Sequence, residues 1–325
     1  MQHRLAVPAG LARAAFLYTQ PEGALRYLQA GAVMTVQEGP ADYFVSAPDG
    51  LRLHARGYGA HDRQRTPVVC LPGLARTTND FDPLAEALAH APDRARHVLA
   101  IDYRGRGESE YDTDPANYSI ATEIADLLAI LTALEIEPAV FVGTSRGGIL
   151  AMVLATVRPG AIAGVVLNDI GPVIETKGLV RIKSYLGRLP QPKSLADAAE
   201  ILRHLFVAQF PKLGPDDWTG FARRTFKEQD GSFKPRYDPK LAEALKSVDM
   251  ARSVPPLWKE FDALASVPVM VVRGANSDVL AAETVAAMRA RRPDLVALEV
   301  PDQGHAPLLA ESDVIAEIGT FIARC

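Results

Sequence analysis

Short apolar segments that alternate with helix-type segments constrain the fold of this chain more than any other feature. Apolar runs such as Ala139–Val142 and Ile162–Leu167 alternate with segments in which apolar residues recur at helical spacing, such as residues 118–134. Strands that are apolar on both faces are typical of parallel sheets covered by helices on each side. We therefore predict an α/β fold with a mostly parallel sheet and helices on both faces.

The alternation is interrupted once along the chain. An Asp49-Gly50 turn joins the first two predicted strands into a hairpin, and the regular pattern then runs to about residue 172. Beyond it lie amphipathic helical segments, among them Asp216–Lys227, before strands and helices alternate again. The expected organisation is a helical N-terminal extension over 1–40, an α/β core over 41–172 and 261–325, and a helical cap inserted over 173–260.

Composition limits the location and the partners of the chain. Its 325 residues carry a net charge of −4, which argues against binding a nucleic acid through phosphate neutralisation. It contains no secretory leader pattern and no apolar run of membrane-spanning length, so we expect no membrane span. Cys70, in an apolar strand, and Cys325, at the end of the chain, are expected to be unpaired thiols of a cytoplasmic protein.

A glycine-flanked serine marks the strongest candidate for chemistry. Gly143-Thr144-Ser145-Arg146-Gly147 lies between a predicted strand and a predicted helix. Such a sharp turn needs glycines where the backbones meet, and it projects the serine hydroxyl above the sheet. The free N–H groups at the start of the helix stabilise negative charge at the same point. The pattern predicts that Ser145 is a nucleophile.

A serine nucleophile needs a base and an acid that orients the base. His305 follows the last predicted strand, 160 residues after Ser145, and is the predicted base. Two carboxylates compete for the acid: Asp278, just past the strand over 267–272, and Asp169, at the end of the strand before the cap. The order serine, acid, histidine holds for both. We favour Asp278, because its loop matches the usual position of the acid, and keep Asp169 as the alternative.

Two backbone N–H groups are expected to form an oxyanion hole. One belongs to Arg146, directly after the serine, and the other to Leu74, in the loop that Gly73 opens after the first buried strand. The glycine-rich turn Asp102–Ser109 lacks both the Walker lysine and the dinucleotide spacing of glycines, so we interpret it as structural.

The cap supplies the candidates for substrate contacts. Phe210, Trp218 and Trp258 are predicted to line an acyl pocket, although packing of the cap on the core explains them equally well. The cap carries 16 Lys and Arg residues against 11 Asp and Glu residues. This excess favours an anionic substrate or, alternatively, belongs to solvated helix faces. The candidate cationic contacts are Arg181, Lys183 and Arg188.

Residues 41–323 resemble the α/β-hydrolase superfamily, in particular its capped esterase and C–C hydrolase branch. Leu71–Leu74, Asp102–Ser109, Gly143–Gly148 and the Asp278/His305 pair carry the resemblance. It implies an eight-stranded sheet, a Ser145–Asp278–His305 triad, no metal and no organic cofactor. One departure is Pro72-Gly73, where His-Gly is usual in the oxyanion loop.

The resemblance also narrows the reaction. A serine nucleophile argues against epoxide hydrolases and dehalogenases, which use an aspartate, and Ala306 stands where C–C hydrolases often carry an aromatic residue. We expect a serine hydrolase that cleaves a small carboxylic ester through an acyl-enzyme on Ser145. The alternatives are a C–C bond hydrolase of a vinylogous diketone, a lactonase or amidase, and a non-turnover ligand-binding or acyl-transfer protein. The expected partner is a small-molecule acyl substrate, and a homodimer is left open.

Overall fold

The computed structural model describes residues 16–19, 25–28, 39–245 and 254–325. The strands are β1 (Phe16–Thr19), β2 (Leu25–Leu28), β3 (Ala41–Ser46), β4 (Arg52–Tyr58), β5 (Val68–Leu71), β6 (Val98–Asp102), β7 (Ala139–Thr144), β8 (Ile162–Asn168), β9 (Phe226–Gln229), β10 (Ser232–Pro235), β11 (Val269–Gly274) and β12 (Val296–Val300). The α-helices are α1 (Asp82–Ala89), α2 (Ile120–Leu134), α3 (Arg146–Val157), α4 (Thr176–Tyr185), α5 (Leu195–Phe206), α6 (Pro215–Thr225), α7 (Trp258–Asp262), α8 (Ala282–Arg291) and α9 (Ser312–Ile322).

The central sheet has the strand order β12-β11-β8-β7-β5-β6-β4-β3-β1-β2. Strands β6, β5, β7, β8, β11 and β12 pair in parallel, whereas β4 and β3 join the edge in antiparallel pairing. The predicted mostly parallel, eight-stranded sheet is confirmed as β3–β8 with β11 and β12. Because the six parallel strands point the same way, the loops after β5, β7, β8, β11 and β12 meet at one edge.

The N-terminal extension differs from its prediction where the structure describes it. Residues 16–19 and 25–28 form strands that pair with each other, and β1 also pairs with β3 through Leu17 and Phe44. The helical extension expected over residues 1–40 is therefore wrong at these two segments. Most of the remainder of that prediction lies outside the described residues.

Helices cover both faces of the sheet because side chains of the buried strands alternate between two apolar clusters. On β5, Val69 and Leu71 belong to the cluster that includes α2 and α3, whereas Val68 and Cys70 belong to the cluster that includes α1 and α9. All four side chains are fully buried. The core is thus two apolar layers separated by the sheet.

The chain between β8 and β11 contains α4, α5, α6, the hairpin β9–β10 and a short 3-10 helix over Pro239–Leu245. Helices α5 and α6 share an apolar cluster built on Leu202, Phe206 and Phe221. A smaller cluster brings Leu186 and Tyr237 of this segment against Leu74, in the loop after β5. Helix α7, by contrast, packs on the core through Phe261. The hairpin was not predicted, and part of the expected cap, residues 246–253, lies outside the described residues.

Three further findings concern the described ranges. No helix within them combines the length and the apolar character that a membrane crossing requires. Cys70 and Cys325 are both free thiols. The same ranges contain no cluster of three or more His, Cys, Asp or Glu side chains arranged to hold a metal ion.

A buried histidine with two carboxylate partners joins β4 to β6. His54 Nδ1 lies 2.7 Å from Asp102 Oδ2, and its Nε2 lies 3.0 Å from Asp42 Oδ1. Burial alone would lower the pKa of His54, but its hydrogen bonds to Asp102 and Asp42 and their charges raise the pKa from 6.5 to about 9. His54 is therefore a cation inside the fold near neutral pH.

This charge predicts a pH dependence of stability. A raised pKa stabilises the folded chain fully below pH 6.5, and the contribution is lost as the pH rises towards about 9. Relative to His54→Gln, the free energy of unfolding of the natural chain should fall by about 3 kcal/mol between these limits. Urea unfolding at a series of pH values measures it, with His90→Gln, at an exposed histidine, as the control. Parallel pH profiles for the natural chain and His54→Gln would contradict this role.

Candidate active site

The turn between β7 and α3 presents Ser145 at the carboxyl edge of the sheet. Ser145 has a φ of +51°, a strained value for a residue with a side chain, and its N–H donates a 2.9 Å hydrogen bond to the carbonyl of Asn168. A Cβ at Gly143 would lie 2.5 Å from the backbone of Gly147, and one at Gly147 would overlap the carbonyl of Leu71. Close backbone contacts therefore require glycine at positions 143 and 147, as the motif predicts.

Ser145 is hydrogen-bonded to His305, and His305 to Asp169. The Oγ of Ser145 lies 2.8 Å from His305 Nε2, and His305 Nδ1 lies 2.8 Å from Asp169 Oδ2. The side chain of Asp169 is fully buried and that of His305 is 7% exposed. Because an ionised carboxylate only accepts, the Nδ1 of His305 carries the proton and Nε2 is left free to take one from the serine.

Asp169 is held by donors from a neighbouring loop. The N–H of Gly274 donates to its Oδ1 at 2.8 Å, and the hydroxyl of Ser277 donates to its Oδ2 at 2.5 Å. Asp169 also has a φ of +56°, just past the end of β8. Gly274 is the last residue of β11, which pairs with β8, and Ser277 lies in the loop that follows. The segment that leads to Asp278 thus supplies hydrogen bonds to Asp169.

The expected pairing of Asp278 with His305 is not the arrangement in the structure. Both carboxylate oxygens of Asp278 accept from Arg181 of α4, at 2.6 and 2.8 Å. Burial would raise the pKa of Asp278, but the hydrogen bonds and the charge of Arg181 hold it below its usual value. Asp278 therefore ties α4 to the core, because the inserted segment brings a guanidinium to its carboxylate.

The loop after β5, which carries the predicted oxyanion donor Leu74, lies beside the serine. A Cβ at Gly73 would lie 3.9 Å from the Cβ of Ser145, and Leu74 lines the same cavity as Ser145. The carbonyl of Gly73 accepts from the N–H of Arg76 at 3.2 Å, so the N–H of Leu74, on the same trans peptide, points the opposite way. The N–H of Arg146 is in the first turn of α3, where it has no intrahelical acceptor.

A buried ion cluster of Glu123, Arg106 and Arg146 connects the loop after β5 to the start of α3. Glu123 of α2, fully buried, accepts from Arg146 Nε at 2.6 Å and lies 2.9 Å from Arg106 NH1. Arg106 Nε donates to the carbonyl of Leu74 at 2.8 Å. The glycine-rich turn interpreted as structural thus holds the loop that contains Leu74. Glu123 was not predicted, since a single glutamate within a helix-type segment carries no signal in the sequence.

Gln209 is a second residue that sequence reasoning missed. Its Oε1 accepts from the N–H of His305 at 2.9 Å, and its backbone carbonyl accepts from Asn276 Nδ2 at 3.3 Å. Gln209 lies in the loop between α5 and α6. The inserted segment therefore helps to position the histidine loop, a contact between distant residues that no local motif reveals.

An apolar cavity of about 130 Å³ opens above Ser145 and His305. Phe210 lines it as predicted. Trp218 and Trp258 are not among its lining residues: Trp218 stacks on Phe221 within the α5–α6 cluster, and Trp258 packs against Phe261 on the core. The cavity wall comes from both the inserted segment and the core. Its apolar lining residues include Leu74, Ile182, Leu186, Leu202, Phe206 and Leu308.

The cations that face this cavity are not those named from the sequence. Arg181 is bound to Asp278, and Lys183 and Arg188 are not among the lining residues. Arg76, in the oxyanion loop, and Arg224, on α6, line the cavity instead. A charge count could not distinguish these positions, because it does not report which helix face a cation occupies.

Comparison with known proteins places the chain among hydrolases. The sequence profile described as "Alpha/beta hydrolase family" matches residues 68–318. The 3-hydroxybutyrate-oligomer hydrolase of Cupriavidus necator is 33% identical over 282 residues, which are 84% of this chain and 94% of that protein. The mouse sn-1-specific diacylglycerol lipase ABHD11 is 28% identical over 73% of this chain and 74% of its own length.

A solved structure gives the same assignment. The crystal structure of an alpha/beta hydrolase from Novosphingobium aromaticivorans superposes with a TM-score of 0.81 at 38% identity, over 90% of this chain and all of that one. The fold is thus the α/β-hydrolase fold, and the enzyme is a hydrolase. The profile match and the extent of these similarities show that the chain belongs to the alpha/beta hydrolase family.

Proposed function

We propose that this hydrolase cleaves small carboxylic esters through an acyl-enzyme on Ser145, with His305 as the base and Asp169 as the acid that orients it. The observation that carries the proposal is the unbroken hydrogen-bonded series Ser145–His305–Asp169, with 2.8 Å at each step, at the floor of an apolar cavity. Asp169 thereby replaces Asp278 in the predicted triad.

The first half-reaction forms the acyl-enzyme. His305 Nε2 takes the proton of Ser145 as its Oγ bonds to the ester carbonyl carbon, and Asp169 stabilises the imidazolium that results. The negative charge on the carbonyl oxygen is placed against the N–H groups of Leu74 and Arg146. The bond to the alkoxy oxygen then breaks, and His305 returns its proton to the departing alcohol.

The second half-reaction uses the same groups. His305 removes a proton from a water molecule, whose oxygen bonds to the acyl carbon. The bond to Ser145 Oγ breaks, the serine regains a proton from His305, and a carboxylic acid leaves. The hydrogen bond from the His305 backbone N–H to Gln209 Oε1 keeps the imidazole in reach of both the serine and the water.

An ester substrate is supported by the cavity and by the relatives. The lining is mainly apolar, which suits an acyl chain. The C. necator relative is named for hydrolysis of 3-hydroxybutyrate oligomers, whose units are joined by esters, and the mouse relative is named a lipase. We propose short esters of hydroxy acids as the first substrates to examine.

Trapping of the acyl group tests the proposal directly. On mixing with excess 4-nitrophenyl butyrate and quenching in acid, we expect a mass increase of one butyryl group on the peptide that carries Ser145. A burst of nitrophenol stoichiometric with enzyme should accompany it if deacylation is the slower step. The Ser184→Ala variant, which removes an exposed serine on α4, should be labelled like the natural chain. Butyryl mass on another residue, with Ser145 unmodified, would refute the proposal.

A further inference from the structure

Two arginines with different surroundings face the catalytic cavity. Arg76 and Arg224 line it together with Ser145 and His305, and Asp80 is the carboxylate among its lining residues. Among the described lining residues, Asp80 alone carries a negative charge that can neutralise these cations. The partners of each guanidinium therefore decide whether it serves the fold or a ligand.

Arg76 is fully engaged within the protein. Its Nε and NH2 donate to the two oxygens of Asp80 at 2.6 and 2.5 Å, and its NH1 donates to Thr225 Oγ1 at 2.7 Å. The guanidinium also lies 4.7 Å from the centroid of the Phe221 ring. This bidentate pair and its hydrogen bond leave Arg76 in one fixed position.

Arg224 lacks a comparable partner within the described residues. Its nearest carboxylate there is Asp80, with 3.9 Å between Arg224 Nε and Asp80 Oδ1, and both oxygens of Asp80 are already taken by Arg76. The Arg224 side chain is 21% exposed. Burial holds the pKa of Arg224 below its usual value; the charge of Asp80 opposes this shift, and the charge of Arg76 adds to it. A partly buried cation whose donors have no hydrogen-bond partner among the described residues therefore faces the cavity.

We propose that Arg224 binds a carboxylate at the end of the ester substrate, so that the enzyme prefers esters with an anionic end group over neutral esters of the same length. This inference rests on the proposed ester hydrolysis at Ser145. A guanidinium presents paired N–H donors that match a carboxylate, and this pairing is strongest where water is excluded. The apolar wall between Arg224 and Ser145 then contacts the carbon chain that joins the carboxylate to the ester.

The chemistry of the relative's substrate agrees with this site. Each 3-hydroxybutyrate oligomer, the substrate class in the name of the C. necator hydrolase, ends in one free carboxylate. The cavity of this chain places against apolar walls a guanidinium that has no hydrogen-bonded carboxylate among the described residues, which is the complement of such a molecule. We therefore assign to Arg224 a role in selecting charged over neutral esters and no role in cleaving the bond.

Two matched pairs of esters test the assignment. The first pair is the 3-hydroxybutyrate dimer and its terminal carboxamide, in which the charge lies on the alcohol side of the ester. The second is monophenyl adipate and the phenyl ester of adipamic acid, in which it lies on the acyl side. In at least one pair, Arg224→Gln should raise KM for the anionic member about tenfold or more, with kcat changed far less and the neutral member unaffected.

Two variants serve as controls. Arg224→Lys keeps the charge and should recover part of the preference, whereas Arg223→Gln, at the exposed neighbour on α6, should leave both pairs unchanged. Circular dichroism and the melting temperature report whether each variant folds. Equal effects of Arg224→Gln on charged and neutral esters, or no preference in the natural enzyme, would overturn the assignment.

Failure of the proposed ester hydrolysis can be distinguished from failure of the carboxylate site. If the natural enzyme cleaves none of the four esters, the proposed function fails. Calorimetric titration with the dimer and its carboxamide then decides the carboxylate site by itself. Tighter binding of the acid that Arg224→Gln abolishes would support the site, and equal binding of the two compounds would refute it.

Discussion

Replacing Ser145 with alanine is expected to reduce kcat for ester hydrolysis by about 10⁶-fold, the effect seen when a triad nucleophile is removed. The proposed acyl-enzyme needs an oxygen within reach of His305 Nε2, and the Oγ of Ser145 at 2.8 Å supplies it. Alanine keeps the Cβ and the tight turn, so the fold should be unchanged. Steady-state rates with 4-nitrophenyl butyrate measure the loss. The protein must be purified free of other esterases.

The control for this variant is another serine of the same chain. Ser184 of α4 is exposed and its hydroxyl bonds only to the Arg181 carbonyl. Ser184→Ala should keep the activity of the natural enzyme. Retention of more than about a tenth of the activity by Ser145→Ala would exclude it as the nucleophile, since no oxyanion hole compensates for a missing attacking group.

The elements around the nucleophile were predictable because their signals are local. The apolar run before Gly143 becomes β7, and the segment after Ser145 becomes α3 over residues 146–157, as predicted. Contact between the backbones at Gly143 and Gly147 enforces this turn, so the five-residue pattern is enough to signal it. The same holds for the Asp49-Gly50 turn, which joins β3 to β4.

Elements that depend on distant partners were predicted less well. The N-terminal extension was expected to be helical, but β1 and β2 pair with each other there, and β1 also pairs with the edge that β3 offers. The Asp230-Gly231 turn carries the same dipeptide signal as Asp49-Gly50, yet its short flanking strands are largely exposed and show no apolar run. Periodicity alone does not separate a strand from a helix when burial is partial.

The choice between the two candidate acids could not be made from chain order. Asp169 and Asp278 follow neighbouring parallel strands, β8 and β11, so both carboxylates lie at the same edge of the sheet. The two carboxylates differ in their contacts with residues that are distant from Asp169 or Asp278 in sequence. Arg181 occupies Asp278, while Ser277 and Gly274 orient Asp169 towards His305.

Replacing Asp169 with asparagine should therefore cost far more activity than the same change at Asp278. The amide introduced by Asp169→Asn would donate to His305 Nδ1, which places the imidazole proton on Nε2 and removes the acceptor for the Ser145 proton. We expect kcat to fall about 10⁴-fold, the loss known for this tautomer change in a serine triad. The asparagine has the size of the aspartate, so the effect reports charge and hydrogen bonding.

Asp278→Asn is the matched control, because it makes the same chemical change at the same edge of the sheet. It removes one charge from a pair with Arg181, which should lower the free energy of unfolding by about 1 to 3 kcal/mol and leave kcat within about tenfold. Measuring kcat, KM and urea unfolding for both variants separates a catalytic effect from loosening of α4. A larger fall in kcat at Asp278 than at Asp169 would return the acid role to Asp278, and would mean that Arg181 releases its carboxylate when substrate binds.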